Sequence, residues 1–334
     1  MRPTIALLFA ICCIAASNPP KLRKFVLNGE AQGTTYQVVY YATDSTVTQF
    51  QVDSILHEID SSVSLYKPYS LINRFNQSDS GIDVDTHFLT IVKKSITTYE
   101  QTTGMFDVTV QPLVQAWGFG VNKIEHLPDS GTIRTLRSCM GTNFLRVWGH
   151  KIVKTKPCLK IDLNGIAQGY SVDVIASFLI QNGIGNYIVE LGGEIRVQGR
   201  KQPGNEKMKI GIEAPGDDEF SRGIMQKVLL IDEGAITTSG NYRRYFESDG
   251  KRITHLIDPL TGYPVNNELI STTVYAKDAI TADAFDNAFM VMGLVKAMNF
   301  VDARSELAAH FIYRDKHGAV KDTMSKEFYK LVQQ

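Results

Sequence analysis

The order of apolar patterns along the chain constrains its fold more than any other feature of the sequence. Stretches rich in β-branched and aromatic residues, typical of strands, are interspersed with stretches whose apolar residues recur at helical spacing. These stretches do not follow a strict strand–helix–strand alternation. The pattern therefore predicts an α+β fold.

The predicted elements are distributed along the whole chain after residue 20, with no internal repeat, low-complexity tract or long linker. Helices are predicted over residues 47–63, 89–102, 170–181 and 279–293. Strands are predicted over residues 34–41, 187–191, 194–198, 209–212 and 227–231, and near 310–313. A meander of three further short strands is predicted over residues 144–147, 152–154 and 159–163.

Length and charge narrow the classes of function. A chain of 334 residues can bury a sizeable core without disulfides or metals to hold it together. Its 35 basic residues balance 35 acidic ones, so bulk electrostatics does not draw it to nucleic acid or anionic lipid. A polyphosphate ligand would need a local device, such as a metal ion or backbone amides. The four cysteines contain no C-x-x-C zinc pattern.

The first 17 residues predict a secretory signal peptide. Arg2 precedes an apolar run over residues 5–16, and the polar sequence Asn18-Pro19-Pro20 follows it. The run is too short to span a bilayer. Either Cys12 or Cys13 is a candidate for lipid attachment, although neither follows the small residue usually found there. We expect export to the periplasmic side of a bacterial membrane, with or without a lipid anchor.

The remaining cysteines, Cys139 and Cys158, belong to the mature chain. An oxidising compartment permits a disulfide between them. The sequence favours two unpaired core thiols instead. After the signal peptide we expect a short linker over residues 18–28 and one folded domain over residues 29–330.

Several short segments combine glycine with polar residues in places where a plain core sequence would not. They are Gly104-Met-Phe-Asp107, Ile161-Asp-Leu-Asn-Gly165, Glu190-Leu-Gly-Gly-Glu194, Thr237-Thr-Ser-Gly240, His255-Leu-Ile-Asp258-Pro259 and Ala282-Asp-Ala-Phe-Asp-Asn287. Each is weak evidence alone, because Gly-Gly and Asp-Pro pairs are common in turns. In this order and spacing, over residues 29–325, they resemble the ApbE family of flavin transferases.

The resemblance implies a fold, an activity and its partners. The fold would be a single two-lobed α+β unit with mixed or antiparallel sheets flanked by helices and an active cleft between the lobes. The activity would be Mg²⁺-dependent transfer of FMN from FAD to a Ser or Thr hydroxyl of a target flavoprotein, with release of AMP. Two alternatives stay open from the residues alone: hydrolysis of FAD to FMN and AMP, and an exported flavin-binding protein without turnover.

The metal part of this prediction also has support from the residues themselves. Asp283 and Asn287 are four positions apart on a predicted helix, so their oxygens project from one face. Hard oxygen ligands in a chain with few histidines suit Mg²⁺, which also takes oxygens from substrate phosphates. The resemblance adds the backbone carbonyl of Gly165 as a third ligand. Asn287 departs from the Thr that is usual in the family but still offers an oxygen.

The resemblance also implies a flavin pocket and a catalytic side chain. His255 is the candidate general base, because histidine titrates near working pH. Met105 and Phe106 have an alternative reading as core residues. At Gln168 the family commonly carries Lys, so this chain has an amide where a cation is usual. The residues implied to contact FAD are Gln32, Tyr66, Met105, Phe106, Asp107, Asp162, Gln168 and Leu256.

Overall fold

The computed structural model describes residues 21–212, 227–241, 245–248 and 251–333. The predicted signal peptide and the candidate lipid-bearing cysteines lie outside these described residues. The helices of the described part are α1 (Gln49–Val63), α2 (Leu71–Gln77), α3 (Thr86–Gln101), α4 (Gln111–Ala116), α5 (Ser130–Ser138), α6 (Asn164–Gln181), α7 (Ala279–Met292), α8 (Leu294–Asp302) and α9 (Lys326–Tyr329).

The strands complete the α+β architecture that the sequence predicts. They are β1 (Arg23–Ala31), β2 (Thr34–Ala42), β3 (Gly81–Asp83), β4 (Leu145–Trp148), β5 (Lys151–Lys154), β6 (Tyr187–Leu191), β7 (Glu194–Gln198), β8 (Met208–Ile212), β9 (Lys227–Ile231), β10 (Glu233–Gly240), β11 (Tyr245–Ser248), β12 (Lys251–Thr254), β13 (Leu269–Ala276), β14 (Ala308–Arg314) and β15 (Val320–Met324). Among the residues described, no helix has the length and apolar character needed to cross a membrane.

An eight-stranded sheet in the order β1-β2-β6-β7-β10-β13-β14-β15 forms the centre of the molecule. Every neighbouring pair in it is antiparallel. The turn between β1 and β2 consists of Gln32 and Gly33, with φ of 52° and 76°. Both central residues of a type I′ hairpin turn need positive φ, which Gly33 adopts without steric cost.

The predicted linker over residues 18–28 is wrong for its second half, because β1 begins at Arg23 and pairs with β2 along its whole length. Alternating residues of β1 are half-buried, so the strand has one face on the protein and one in solvent. The folded domain therefore begins at Arg23 rather than at residue 29.

The two faces of the large sheet are covered by different elements, as the period of two in β2 requires. Tyr36, Val38 and Tyr40 pack with residues of α1 and α6. Val39 and Tyr41 point to the opposite face and pack with the β8–β9 hairpin and with Phe328 of α9. The sheet is therefore the middle layer of this part of the molecule.

A second cluster of apolar residues lies around the small sheet β3-β5-β4 and helices α2 and α3. The third strand of the meander predicted here is wrong, because residues 159–163 form no strand and β3 takes the place beside β5. The segment is held by individual hydrogen bonds rather than by strand pairing. Asn76 exchanges two hydrogen bonds with the backbone of Ile161 (2.8 and 2.9 Å), and the amide of Asp162 donates to the carbonyl of Val108 (2.7 Å).

Cys139 and Cys158 form a disulfide with a Cα–Cα distance of 5.6 Å, so the prediction of two unpaired thiols is wrong. Cys139 ends α5, and Cys158 lies between β5 and the segment that precedes α6. The two residues are 19 positions apart, and only the folding of α5 back onto this segment brings them within bonding distance.

Candidate active site

Helices α6 and α7 pack together unusually closely at Gly169. A Cβ added at Gly169 would lie 2.4 Å from the carbonyl oxygen of Ala279 and 2.7 Å from the Cβ of Asp283. Contacts this short are forbidden to real side chains, so glycine is needed here for the two backbones to approach. The approach lets the amide of Gly169 donate to Asp283 Oδ2 at 2.8 Å.

The first turn of α6 frees a backbone carbonyl beside this contact. In a regular helix the amide of Gly169 would donate to the carbonyl of Gly165. Here that amide reaches Asp283, and the backbone at Gly165 departs from helical values (φ −83°, ψ 19°). The carbonyl oxygen of Gly165 instead accepts from the Asn287 side chain at 3.3 Å.

The three predicted metal ligands therefore meet in space. Asn287 Nδ2 lies 3.3 Å from the carbonyl oxygen of Gly165 and 3.4 Å from Asp283 Oδ1. The amide nitrogen of Asn287, rather than its oxygen, faces the other two ligands, and its Oδ1 lies 3.4 Å from Ser239 Oγ. A half-turn of the carboxamide would present the oxygen at the same point, because its two ends have nearly the same shape.

The electrostatics of this point favour a cation. Asp283 is 4% exposed, and burial raises the pKa of its carboxyl from 3.8 to about 7. Among the described residues, Asp283 forms no ion pair with Lys, Arg or His. The described residues also contain no cluster of three or more His, Cys, Asp or Glu side chains suited to a metal. The oxygens of Gly165, Asp283 and Asn287 are the hard donors that Mg²⁺ binds, so this donor set fits that ion.

Sequence reasoning missed one residue of this group, Asp286. It is 1% exposed, and its Oδ1 accepts from Asn287 Nδ2 at 3.0 Å. Burial and then the neighbouring Asp283 raise the pKa of its carboxyl well above 3.8. A second acidic residue in an otherwise apolar stretch of a buried helix was the available signal.

Two of the predicted FAD contacts, Asp107 and Asp162, lie on neighbouring segments that a backbone hydrogen bond joins. Asp107 Oδ1 accepts from the Thr109 amide, the Thr109 hydroxyl and the Thr142 hydroxyl at 2.6–2.8 Å. Burial raises the pKa of the Asp107 carboxyl, and these hydrogen bonds oppose the rise. Asp162 Oδ1 accepts from the amide of Asn164 at 2.8 Å and fixes the entry into α6. Both carboxylates thus shape the turns on which a ligand contact would depend.

Gln32 and Gln168 lie at the end of the large sheet that is close to the first turns of α6. Gln32 Nε2 donates to the hydroxyl of Ser171 at 2.8 Å, which ties the β1–β2 turn to the helix. The Gln168 side chain lies against the turn between β6 and β7, since its Nε2 would be 3.1 Å from a Cβ added at Gly192. Both amides therefore line the same end of the large sheet, close to the first turns of α6.

His255 lies on the loop that follows β12. Its ring meets the ring of Phe119 edge to face, with centroids 6.2 Å apart. The loop is anchored further on, where Trp117 Nε1 donates to the carbonyl of Gly262 at 2.9 Å. A Cβ added at Gly104 would touch the side chain of Leu260 at 3.6 Å, so this loop and the segment bearing Met105 and Asp107 are neighbours.

Leu256, the next residue, has its side chain in the core. Its side chain is 7% exposed and packs in the apolar cluster formed by α7, β13 and β14. A contact of Leu256 with FAD would have to come from its backbone, because the side chain faces the core.

The remaining predicted FAD contacts, Tyr66, Met105 and Phe106, differ in how far they are buried. Phe106 is buried in the cluster around α3 and the small sheet, as the alternative reading expects, whereas Met105 is half-buried. Tyr66 is 55% exposed on a loop whose backbone is fixed by Asn73, which donates to the carbonyls of Leu65 and Lys67 at 3.1 and 2.9 Å. The ring of Tyr66 is therefore available to a planar ligand.

Comparisons with known proteins agree with this arrangement. Residues 32–311 match the family model described as ApbE family. The chain is 38% identical over 310 residues to a curated FAD:protein FMN transferase of Vibrio cholerae, covering 91% of each chain. It is 33% identical to the protein of the same name from Haemophilus influenzae, covering 98% of this chain and 97% of that one.

Solved structures are similar in fold as well. The flavin transferase ApbE from Vibrio cholerae superposes with a TM-score of 0.83 at 35% identity, covering 93% of this chain and 99% of that one. The apo form of the flavinyl transferase ApbE from Pseudomonas stutzeri gives a TM-score of 0.84 at 31% identity, with 93% and 97% covered.

Proposed function

This chain belongs to the ApbE family, and from that premise we propose that it is an FAD:protein FMN transferase. It takes FAD as substrate and attaches the FMN part to a Ser or Thr hydroxyl of a target flavoprotein. The observation that carries the proposal is the meeting of Gly165, Asp283 and Asn287 at the α6–α7 contact. Oxygens that converge at a buried point beside loops able to hold a nucleotide suit the cleavage of a pyrophosphate.

The reaction we propose is a single phosphoryl transfer. The acceptor hydroxyl oxygen attacks the phosphorus on the riboflavin side, a new P–O bond forms, and the P–O bond to AMP breaks. His255 takes the proton that leaves the hydroxyl. The edge contact with Phe119 and the anchored loop hold the imidazole in place.

Mg²⁺ is the cation we propose for the site formed by Gly165, Asp283 and Asn287. Held by these oxygens, it would neutralise negative charge on the phosphate oxygens of the substrate. The chain's own contribution is to fix the oxygens before substrate arrives, because Gly169 holds the Asp283 carboxylate by its second oxygen. At the flavin end, the exposed ring of Tyr66 offers a stacking surface.

We further propose that the enzyme works outside the cytoplasm, with a signal peptide over residues 1–17 and Cys12 or Cys13 as the point of lipid attachment. The disulfide between Cys139 and Cys158 supports this, since disulfides persist in oxidising compartments. Mass spectrometry of protein expressed in a bacterial host should show processing near residues 12–18. An intact Met1 on most molecules would contradict export.

The transfer reaction is tested with purified protein, FAD, Mg²⁺ and a target flavoprotein domain, followed by fluorescence imaging of a denaturing gel. A covalently fluorescent acceptor band that disappears with chelator, and with an Ala replacing the acceptor Ser or Thr, supports transfer. Free FMN and AMP without a labelled band would indicate hydrolysis instead. Bound but unchanged FAD would indicate a binding protein.

A further inference from the structure

Helix α5 packs against the turn that follows His255. A Cβ added at Gly262 would lie 2.7 Å from Ile133 Cγ2 and 2.7 Å from Arg137 Cδ, so both α5 side chains touch the backbone of the turn. The guanidinium of Arg137 donates to the carbonyl of Leu260. Helix α5 therefore holds the turn by an apolar contact and by a charge-assisted hydrogen bond.

The position of this turn is linked to the position of the imidazole. The amide of Val265 donates to the carbonyl of Leu256 at 2.8 Å, which closes the loop that contains the turn directly beside His255. The ring of Phe119, which meets the imidazole edge to face, packs in one apolar cluster with Ile133 of α5. Helix α5 therefore acts on the imidazole by two routes, the backbone of the turn and the ring of Phe119.

Helix α5 has little packing of its own to hold it in place. It has nine residues, a length at which an isolated helix is marginal in water. All nine are described by the structure, and among them only Ile133 is buried. The disulfide between Cys139 and Cys158 ties the end of this helix to the segment that leads to Asp162. The disulfide therefore restrains a helix that its side chains would hold only loosely.

The disulfide is also accessible to a reductant. Cys158 is exposed and Cys139 is half-buried. Exposed disulfides are among those that exchange readily with thiols. Beside the bond, Lys156 Nζ donates to the carbonyl of Ser138 at 2.6 Å, but at the surface, where water can replace it. Reduction would therefore release the end of α5.

We propose that the Cys139–Cys158 disulfide is a redox-sensitive clamp on the loop that bears His255. With the bond intact, Arg137 holds the turn and the imidazole is positioned for transfer, whereas reduction releases α5 and slows transfer. The inference rests on the proposed function for the role of His255, but not for the restraint of the turn, which is measured separately.

The reductant is a dithiol, either a small molecule or a protein. One of its thiolates attacks Sγ of Cys158, the S–S bond breaks, and the sulfur of Cys139 leaves as a thiolate that takes up a proton. The second thiolate of the reductant then displaces Cys158 from the mixed disulfide. The chain gains two electrons and two protons as two thiols, and the reductant is oxidised to a disulfide.

Hydrogen–deuterium exchange read by mass spectrometry tests the restraint without any reaction. After reduction with dithiothreitol, the peptide over residues 256–265 should exchange faster, because α5 no longer holds the turn. The peptide over residues 279–292 is the internal control, because α7 packs in a different apolar cluster from that of α5. Unchanged exchange over residues 256–265 overturns the proposal.

The rate of FMN transfer at saturating FAD tests the positioning of His255. Reduction should lower kcat about ten- to hundredfold, since a misplacement of about 1 Å can cost about 10²-fold. The double variant Cys139→Ser, Cys158→Ser should be slow with or without dithiothreitol. The residual rate of His255→Ala should not respond to reduction, because the clamp acts through that side chain. An equal loss in His255→Ala, or an undiminished kcat in reduced wild type, overturns the proposal.

Arg137→Ala keeps the disulfide and carries the test if the reduced protein unfolds. Its kcat should fall about fivefold or more, the equivalent of one hydrogen bond, and Arg137→Lys should restore part of the loss, because lysine also donates to a carbonyl. Arg134→Ala, at an exposed position on the same helix, is the matched control, and equal rates in Arg137→Ala and Arg134→Ala overturn the proposal. An oxidised protein that labels no acceptor, but whose peptide over residues 256–265 exchanges faster on reduction, would refute the proposed function and leave the clamp intact.

Discussion

The cation end of the candidate site and its flavin end are held by different kinds of contact. At the cation end, two helices touch at Gly169, and the functional oxygens are buried. At the flavin end, Tyr66, Met105 and His255 lie on loops that are fixed by hydrogen bonds from side chains to backbone, and Tyr66 is largely exposed. The buried helix contact gives the oxygens a fixed arrangement, whereas an exposed ring on a loop gives a surface that can adjust to its ligand.

The largest expected effect comes from removing the charge at the cation end. Asp283→Asn keeps an acceptor for the amide of Gly169 but removes a metal ligand, and a catalytic metal contributes several kcal/mol to transition-state stabilisation. FMN transfer should fall to background in the gel assay, while the midpoint of thermal unfolding falls little or not at all. Transfer at the wild-type rate, or in excess chelator, would refute the metal assignment.

His255→Ala tests the catalytic role of the loop at the flavin end. Loss of a general base should slow transfer by roughly 10²–10⁴-fold, while the Kd for FAD stays within a few fold. His150→Ala, an exposed position in the β4–β5 turn, is the control. Equal losses in rate and in FAD affinity would make His255 a binding residue instead.

Asp173, next to the cation end, should make the free energy of unfolding depend on pH. Its carboxylate on α6 accepts from the amides of Ala279 and Ile280, in the first turn of α7, at 3.0 and 2.8 Å. Burial raises the pKa of Asp173 from 3.8 to about 6, so the folded state holds the proton more tightly than the unfolded state does. The resulting stabilisation is complete below pH about 4 and is lost as the pH rises through about 6.

The Asp173→Asn variant removes this titration. Chemical denaturation at several pH values should show that wild type loses, between pH 4 and 6.5, at most about 3 kcal/mol of unfolding free energy that the variant does not lose. A constant difference between the two proteins across this range would show that the pKa of Asp173 is not raised in the folded state.

Gly169→Ala breaks the close helix contact. The added methyl group must push α6 and α7 apart, which should lower the free energy of unfolding by about 1–3 kcal/mol and weaken binding of the cation. Gly185→Ala is the matched control, because a Cβ there has no neighbour within 4 Å. Equal stability of the two variants would show that a methyl group at Gly169 fits between α6 and α7.

The smallest expected effect is at the flavin end. Tyr66→Ala should raise the Kd for FAD about two- to tenfold, since an aromatic pair is worth roughly 0.5–1.5 kcal/mol beyond its area burial. Tyr69 is 58% exposed on the same loop, so Tyr69→Ala should leave the FAD affinity unchanged. Parallel losses in both variants would indicate a general loop effect rather than stacking on Tyr66.

Much of the secondary structure follows from local patterns. The strands over residues 187–191, 194–198 and 227–231 match the predictions, as does the helix over 279–292. Helix α3 begins at Thr86 rather than at residue 89, because Asp85 accepts from the amide of Phe88 and caps it. The predicted face shared by Asp283 and Asn287 needed only the helical repeat.

What the sequence by itself determined were features set by neighbours within about four residues: strand alternation, helix faces, and the ordered motifs that carry the family resemblance. The tertiary structure alone decided that the amide of Gly169 meets Asp283, 114 positions away. The meeting of Gly165 with Asn287, 122 positions away, was expected only through the family resemblance. The tertiary structure also decided the burial of Asp286, the partner of β5 and the Cys139–Cys158 bond. Such contacts arise only when distant elements pack, because their energies depend on distance in space and on shared burial rather than on separation along the chain.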